Sequence, residues 1–231
     1  MSTGILKALM QLFAIITREG NEESSQSARE IVAIFLQQQL NKELVSVYLG
    51  LYDEFYQKHH AKKRDGVSKN KKRTSLNSVK VLRICTQINE ELEQKEKYAV
   101  LVRLIEFISS FAQIDEQDWE FVETVAETFN IEKEIYTQIK SLSQTFKEEY
   151  VEDNQFLYLK SEFEHQPEIA RHIQWTGLDG TLVFYRLENE SLFFVHYFGD
   201  EEVTLNGQSL GSKRCHVFNQ GASIRGARFN P

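Results

Sequence analysis

Apolar residues recur at helical spacing through the first two thirds of the chain, then crowd into short β-branched and aromatic runs. Leu6, Leu9, Leu12 or Phe13, and Ile16 mark one helix face, and Ala28, Ile31, Ile34 and Phe35 mark a second, with Ser24 or Ser25 placed to cap it. Asn41 is placed to cap a third helix carrying Leu44, Val47, Leu51 and Phe55. Val79, Leu82, Cys85 and Ile88 form a fourth stripe, and Tyr98, Leu101, Leu104 or Ile105, and Ile108 a fifth. Asp115, with Asp118 three residues on, predicts the start of a sixth helix bearing Phe121, Val122 and Val125. Glu132 opens a seventh with Ile135, Ile139 and Leu142 inward.

The helical stretch carries an internal repeat. Leu9, Leu12, Phe13 and Ile16 line up with Leu101, Leu104, Ile105 and Ile108; after a loop one residue shorter, Ile31, Ile34 and Leu40 line up with Val122, Val125 and Ile131. A repeated hairpin cannot bury its apolar face alone, so two copies predict a shared helical core.

Punctuation changes near residue 166. The first 166 residues hold no proline and four glycines, while the last 65 hold both prolines and seven glycines, as expected where helices give way to strands and turns. FLYL, RHIQW, GTLVFYRL, SLFFVHYF, EVTLNG, RCHVF and ASIRG read as strands, with hairpin turns expected at Leu178–Gly180 and Asn206-Gly207. The expected fold class is α+β: an all-α bundle of about seven helices over residues 1–150, then a small β-sandwich over 151–231.

Charge sharpens this picture in one place. Lys58 to Arg73 holds eight Lys or Arg against the single acid Asp65, and residues 58–75 are expected to form a basic, mobile loop. Such a loop is either a solvated connector between the halves of the repeat or a patch for anionic lipid headgroups or an acidic partner. Elsewhere acid dominates, and the net charge of −7 argues against nucleic acid as a partner. Two distant cysteines, Cys85 and Cys215, suit a reduced, cytoplasmic chain. No nucleophile elbow, Walker loop, dinucleotide fingerprint or zinc-protease motif occurs, so neither an enzyme nor a small-molecule substrate is expected.

The second copy, LVRLIEFISSFAQIDEQDWEFVETVAETFNIEKE, resembles the TerB-like (tellurite-resistance B) helical domain. EVTLNGQSLGSKRCHVFNQGASIRG is similar to the last strands of a forkhead-associated (FHA) domain, with its asparagine-glycine turn and a later glycine before a final strand. In combination the two modules resemble the N-terminal cytoplasmic region of a group of bacterial ABC transporters. That resemblance implies a non-catalytic regulatory or scaffolding region at the inner face of the membrane, acting on a protein partner or on adjoining ATPase and membrane domains. The residues expected to make such contacts are Lys62, Lys63, Arg64, Lys69, Lys71, Lys72 and Arg73, together with Asn206 and Gly207, and an anionic membrane surface is the other partner for the basic set. No cofactor is expected on this reading. The alternative implied by the TerB-like resemblance is a stress-response protein in which Glu19, Asp115, Glu116 and Asp118 hold Ca²⁺ or a similar divalent ion.

Overall fold

The computed structural model describes residues 2–17, 22–37, 40–60, 71–111, 114–144, 154–162, 171–187, 191–211 and 215–228, and of residues 22–27, 71–78, 80 and 144 the backbone alone. They form two compact units, Met1–Lys133 and Glu134–Pro231. The chain is α+β, with helices in its N-terminal part and a mixed sheet region after them.

The first unit contains α1 (Thr3–Ile16), α2 (Glu22–Gln37), α3 (Lys42–His60), α4 (Lys71–Glu91), α5 (Gln94–Ser109) and α6 (Glu116–Thr128). Its centre is built from the first helix of each repeat copy. All eight aligned positions, Leu9, Leu12, Phe13 and Ile16 on α1 and Leu101, Leu104, Ile105 and Ile108 on α5, are buried. The Phe13 ring stacks on Phe107 at 4.1 Å and meets Phe35 edge-on at 5.7 Å, tying α1 to both α5 and α2. α1 is also apolar beyond its expected stripe. Ile5, Ala8, Met10 and Ala14 are buried as well, so it is a central helix enclosed on nearly all sides.

Caps set several boundaries. Asn41 Oδ1 accepts from the Leu44 amide at 3.0 Å, as its position predicts. Asp115 and Asp118 form a reciprocal capping box at the start of α6, each carboxylate accepting from the other's backbone N–H at 3.0–3.1 Å. Asp115→Ala removes one acceptor and leaves the first turn of α6 with an unpaired donor. Its expected cost is about 1 kcal/mol in the unfolding free energy of the helical unit, read from denaturant titrations. Asp115→Asn, which keeps the acceptor, should recover most of it. Ser24 and Ser25 do not cap α2: the helix already begins at Glu22, so both lie inside it.

Three expected core stripes are corrected. On α2 the buried residues are Ala28, Val32, Phe35 and Leu36, and Ile34 faces outward. On α3 they are Val45, Tyr48 and Tyr52 rather than the stripe beginning at Leu44 and Val47. On α4, Val81, Ile84, Cys85 and Ile88 are buried while Val79 and Leu82 are exposed. Each helix carries apolar residues on more than one face, and spacing alone does not say which face meets its neighbours. Buried Tyr52 shares a 3.0 Å hydrogen bond with Thr17 across α1 and α3, and burial raises its phenol pKa to about 12. Burial likewise pushes the Cys85 thiol up to about 12, so it stays protonated at neutral pH.

The second unit begins with α7 (Lys133–Gln144), so the division falls earlier than residue 150. Its strands are β1 (Phe156–Lys160), β2 (Arg171–Gln174), β3 (Thr181–Leu187), β4 (Leu192–Phe198), β5 (Val203–Leu205), β6 (Gln208–Ser209), β7 (Cys215–Phe218) and β8 (Ile224–Gly226). Seven match the expected runs, and two-residue β6 is added by the Asn206-Gly207 hairpin. One sheet has the order β2-β1-β3-β4-β7 and the other β6-β5-β8. β1 and β2 are parallel, and the remaining pairs are antiparallel.

Leu178–Gly180 therefore does not close a hairpin as expected. β2 and β3 are both partners of β1, and the chain crosses over β1 to pass from one to the other. Leu159, Leu182, Val195 and Tyr197 of the larger sheet share one apolar cluster with Val203 and Leu205 of the smaller. Buried His196 donates from Nδ1 to the Leu142 carbonyl of α7 at 2.6 Å, which joins that helix to β4.

Candidate partner interface

α2 and α3 form a helical hairpin whose register is held by an ion pair. The Arg29 guanidinium donates to both carboxylate oxygens of Asp53, Nε at 2.8 Å and Nη2 at 2.9 Å. The Asp53 carboxylate holds the Arg29 pKa above its ordinary value. The pair is bidentate but exposed, so it fixes geometry more than it adds stability. With Arg29 level with Asp53, an antiparallel hairpin places Ile34 level with Val47 and Tyr48.

Three large apolar side chains of this hairpin are open to solvent. Ile34 is 53% exposed, Leu44 43% and Val47 64%. At about 100° per residue, Ile34 lies on the side of α2 opposite buried Val32 and Leu36, and Val47 on the side of α3 opposite Val45 and Tyr52, while Leu44 flanks buried Tyr48 at the edge of that stripe. Half-buried Leu51 continues the α3 stripe by one turn. Single exposed apolar residues are ordinary, but a run sustained over two neighbouring helices is the kind of surface that marks an interaction site. Its sequence signal is the doubled pattern of α3, where Val45, Tyr48 and Tyr52 run beside Leu44, Val47 and Leu51.

The far end of α3 is anchored. His60 Nε2 lies 3.0 Å from the Ala14 carbonyl of α1, so that nitrogen carries the donated proton, and the ring packs 4.4 Å from Tyr56. The helix thus runs into the segment expected as a loop, and α4 begins at Lys71. Lys71, Lys72 and Arg73 belong to the first turn of α4 rather than to a loop, whereas Lys62, Lys63, Arg64 and Lys69 lie outside the described residues.

Asn206 and Gly207 form the two central positions of the β5–β6 turn, with φ of 51° and 81°. Both are left-handed, the geometry an asparagine-glycine pair adopts in a tight hairpin. The Asn206 side-chain Oδ1 also accepts from the Ser223 backbone N–H at 2.9 Å, and the Asn206 backbone N–H donates to the Ser223 carbonyl at 2.8 Å. Asn206 is therefore spent on bracing the turn against the chain entering β8, while Gly207 is exposed.

Of the residues expected to hold a divalent ion, Glu19 lies outside the described residues, and Asp115 and Asp118 each give an oxygen to the α6 capping box. Among the described residues, no three His, Cys, Asp or Glu side chains converge as ligands, and no helix is long and apolar enough to cross a membrane. Compared with protein-family models, curated proteins and solved structures, the chain finds no match.

Proposed function

We propose that this chain is a non-catalytic cytoplasmic region, regulatory or scaffolding, that docks a protein partner through the outer face of the α2–α3 hairpin. The observation that carries this reading is the apolar run of Ile34, Leu44 and Val47, left open on a hairpin whose core side is already filled. Covering these three side chains removes apolar area from water, the main driving force of protein association. The exposed Arg29–Asp53 pair beside it supplies the polar edge that specific interfaces carry around an apolar centre.

The resemblance to a TerB-like bundle followed by an FHA-like β-sandwich names the setting: the N-terminal part of a bacterial ABC transporter, with the adjoining ATPase or membrane domains as the partner. The two sheets sharing one apolar cluster and the asparagine-glycine hairpin support the FHA-like part of that reading.

Photo-crosslinking tests it. A benzoylphenylalanine placed at Val47 in the full-length protein in its source cells is expected to give one discrete heavier adduct. The double substitution Ile34→Lys and Leu44→Lys should abolish that adduct, and a probe at exposed Gln87 on α4 should not give it. Equal capture from both positions, or none from Val47, would remove the hairpin as the docking face.

A further inference from the structure

The larger sheet carries a groove in its exposed face. It begins where the smaller sheet stops covering that face. Leu159, Leu182, Val195 and Tyr197 belong to the shared cluster, and Leu157, Phe184 and Phe218 pack against its edge and stay half-exposed. Leu157, Phe184, Phe193 and Phe218 line a cavity of about 310 Å³, at the lower bound of the roughly 300–1,000 Å³ typical of small-ligand sites. The strand register explains why they meet. Leu157 pairs with Phe184 across β1 and β3, and Phe193 with Phe218 across β4 and β7, so these alternate residues share one face. Phe218 meets Phe184 and Phe193 edge-on at 5.3 and 6.5 Å, forming a continuous aromatic wall.

Two cations stand on the same lining. Arg171 pairs with Leu157 from the edge strand β2, and Arg186 pairs with Phe193 from β3. Both are exposed, and no carboxylate pairs with either among the described residues. The described lining contains no Asp or Glu at all, in a chain whose net charge is −7. Asn154 and Gln155 add neutral amides at the same end.

We propose that this groove binds a monomeric fatty carboxylate, its acyl chain along the Phe184–Phe218–Phe193 wall and its head group on Arg171 and Arg186. Charge selects the head group: a carboxylate gains charge-assisted hydrogen bonds from two guanidinium groups that pair with no carboxylate among the described residues, whereas an ammonium is repelled. The wall selects the tail. It is nearly devoid of polar atoms, so a peptide laid across it would bury amides without partners, while an acyl chain has none to satisfy. This assignment concerns the sheet unit and does not rest on the α2–α3 reading.

Calorimetric titration of the full chain with sodium dodecanoate, below its micelle-forming concentration, tests the assignment against undecyltrimethylammonium, which has the same undecyl tail and the opposite charge. Saturable one-to-one binding of dodecanoate is expected, at least about tenfold tighter than the cation. Arg171→Gln and Arg186→Gln should each weaken it several-fold, and the double variant should bind the two amphiphiles alike. Both side chains are exposed, so the thermal midpoint and circular dichroism of these variants should match the parent. Equal affinity for the two amphiphiles in the parent, unchanged affinity in the double variant, or no saturable heat would overturn the proposal. So would co-sedimentation with phosphatidylglycerol vesicles without dodecanoate binding, which would assign the groove to a membrane surface.

Discussion

Phe13→Ala is expected to destabilise the helical unit by about 3–5 kcal/mol, the range for truncating a buried aromatic. The ring is fully buried, stacks on Phe107 of α5 and meets Phe35 of α2, so its loss opens a cavity where three helices converge. A domain is typically stable by only about 5–15 kcal/mol, so this one change removes a large fraction of the total. The chain has two tryptophans, Trp119 on α6 and Trp175 after β2, one in each unit. In a Trp175→Phe background, the fluorescence of Trp119 in a denaturant titration reports on the helical unit. Ile34→Ala, on the open outer face, should cost under about 1 kcal/mol in the same assay. If the two substitutions cost the same, the division between core and outer stripe is mistaken.

A comparable loss is expected in the sheet unit from a change of one methyl group. Gly180 has a φ of 80°, and a Cβ built on it would strike the Phe198 carbonyl oxygen and come within 2.7 Å of the Gly199 Cα. Those atoms are backbone at the end of the β3–β4 ladder, where Thr181 pairs with Phe198, and cannot rotate aside. The Tyr197 hydroxyl donates to the Asp179 carbonyl at 2.7 Å next door, so a shift of this turn would break that bond too. Gly180→Ala should therefore cost about 2–4 kcal/mol, combining left-handed strain with overpacking. Gly207→Ala is the control: its φ is 81° but its surroundings are open, so only the conformational part, about 1–2 kcal/mol, applies. With Trp119 replaced by Phe, Trp175 fluorescence separates the two, and a Gly180→Ala loss no larger than that of Gly207→Ala would refute the clash.

The two binding proposals differ in how far the sequence reaches toward them. The apolar residues of the α2–α3 face stood out as a helical stripe, but the pattern placed Ile34, Leu44 and Val47 in the core. The residues of the groove gave less warning. Phe184, Phe193 and Phe218 sit in three separate strands, and nothing within any one strand says that their faces coincide. Nothing in the sequence links Arg171 to Arg186, since their shared lining depends on the strand order.

Features set by neighbours within a few residues were legible from the chain alone. The caps at Asn41 and Asp115 use acceptors three residues from their donors, and the Asn206-Gly207 turn needs only two residues that tolerate a positive φ. The apolar positions of α1 and α5 were legible too, because α1 is apolar around most of its circumference and leaves little choice of face. Tertiary structure alone decided which of two stripes α2, α3 and α4 turn inward, because that depends on helices distant in sequence. It also decided that β2 lies parallel to β1 and that α7 joins the sheet unit through His196. Local propensity is blind to such choices: strand order and helix partnership follow from the total apolar area a packing arrangement buries, which no short window of sequence contains.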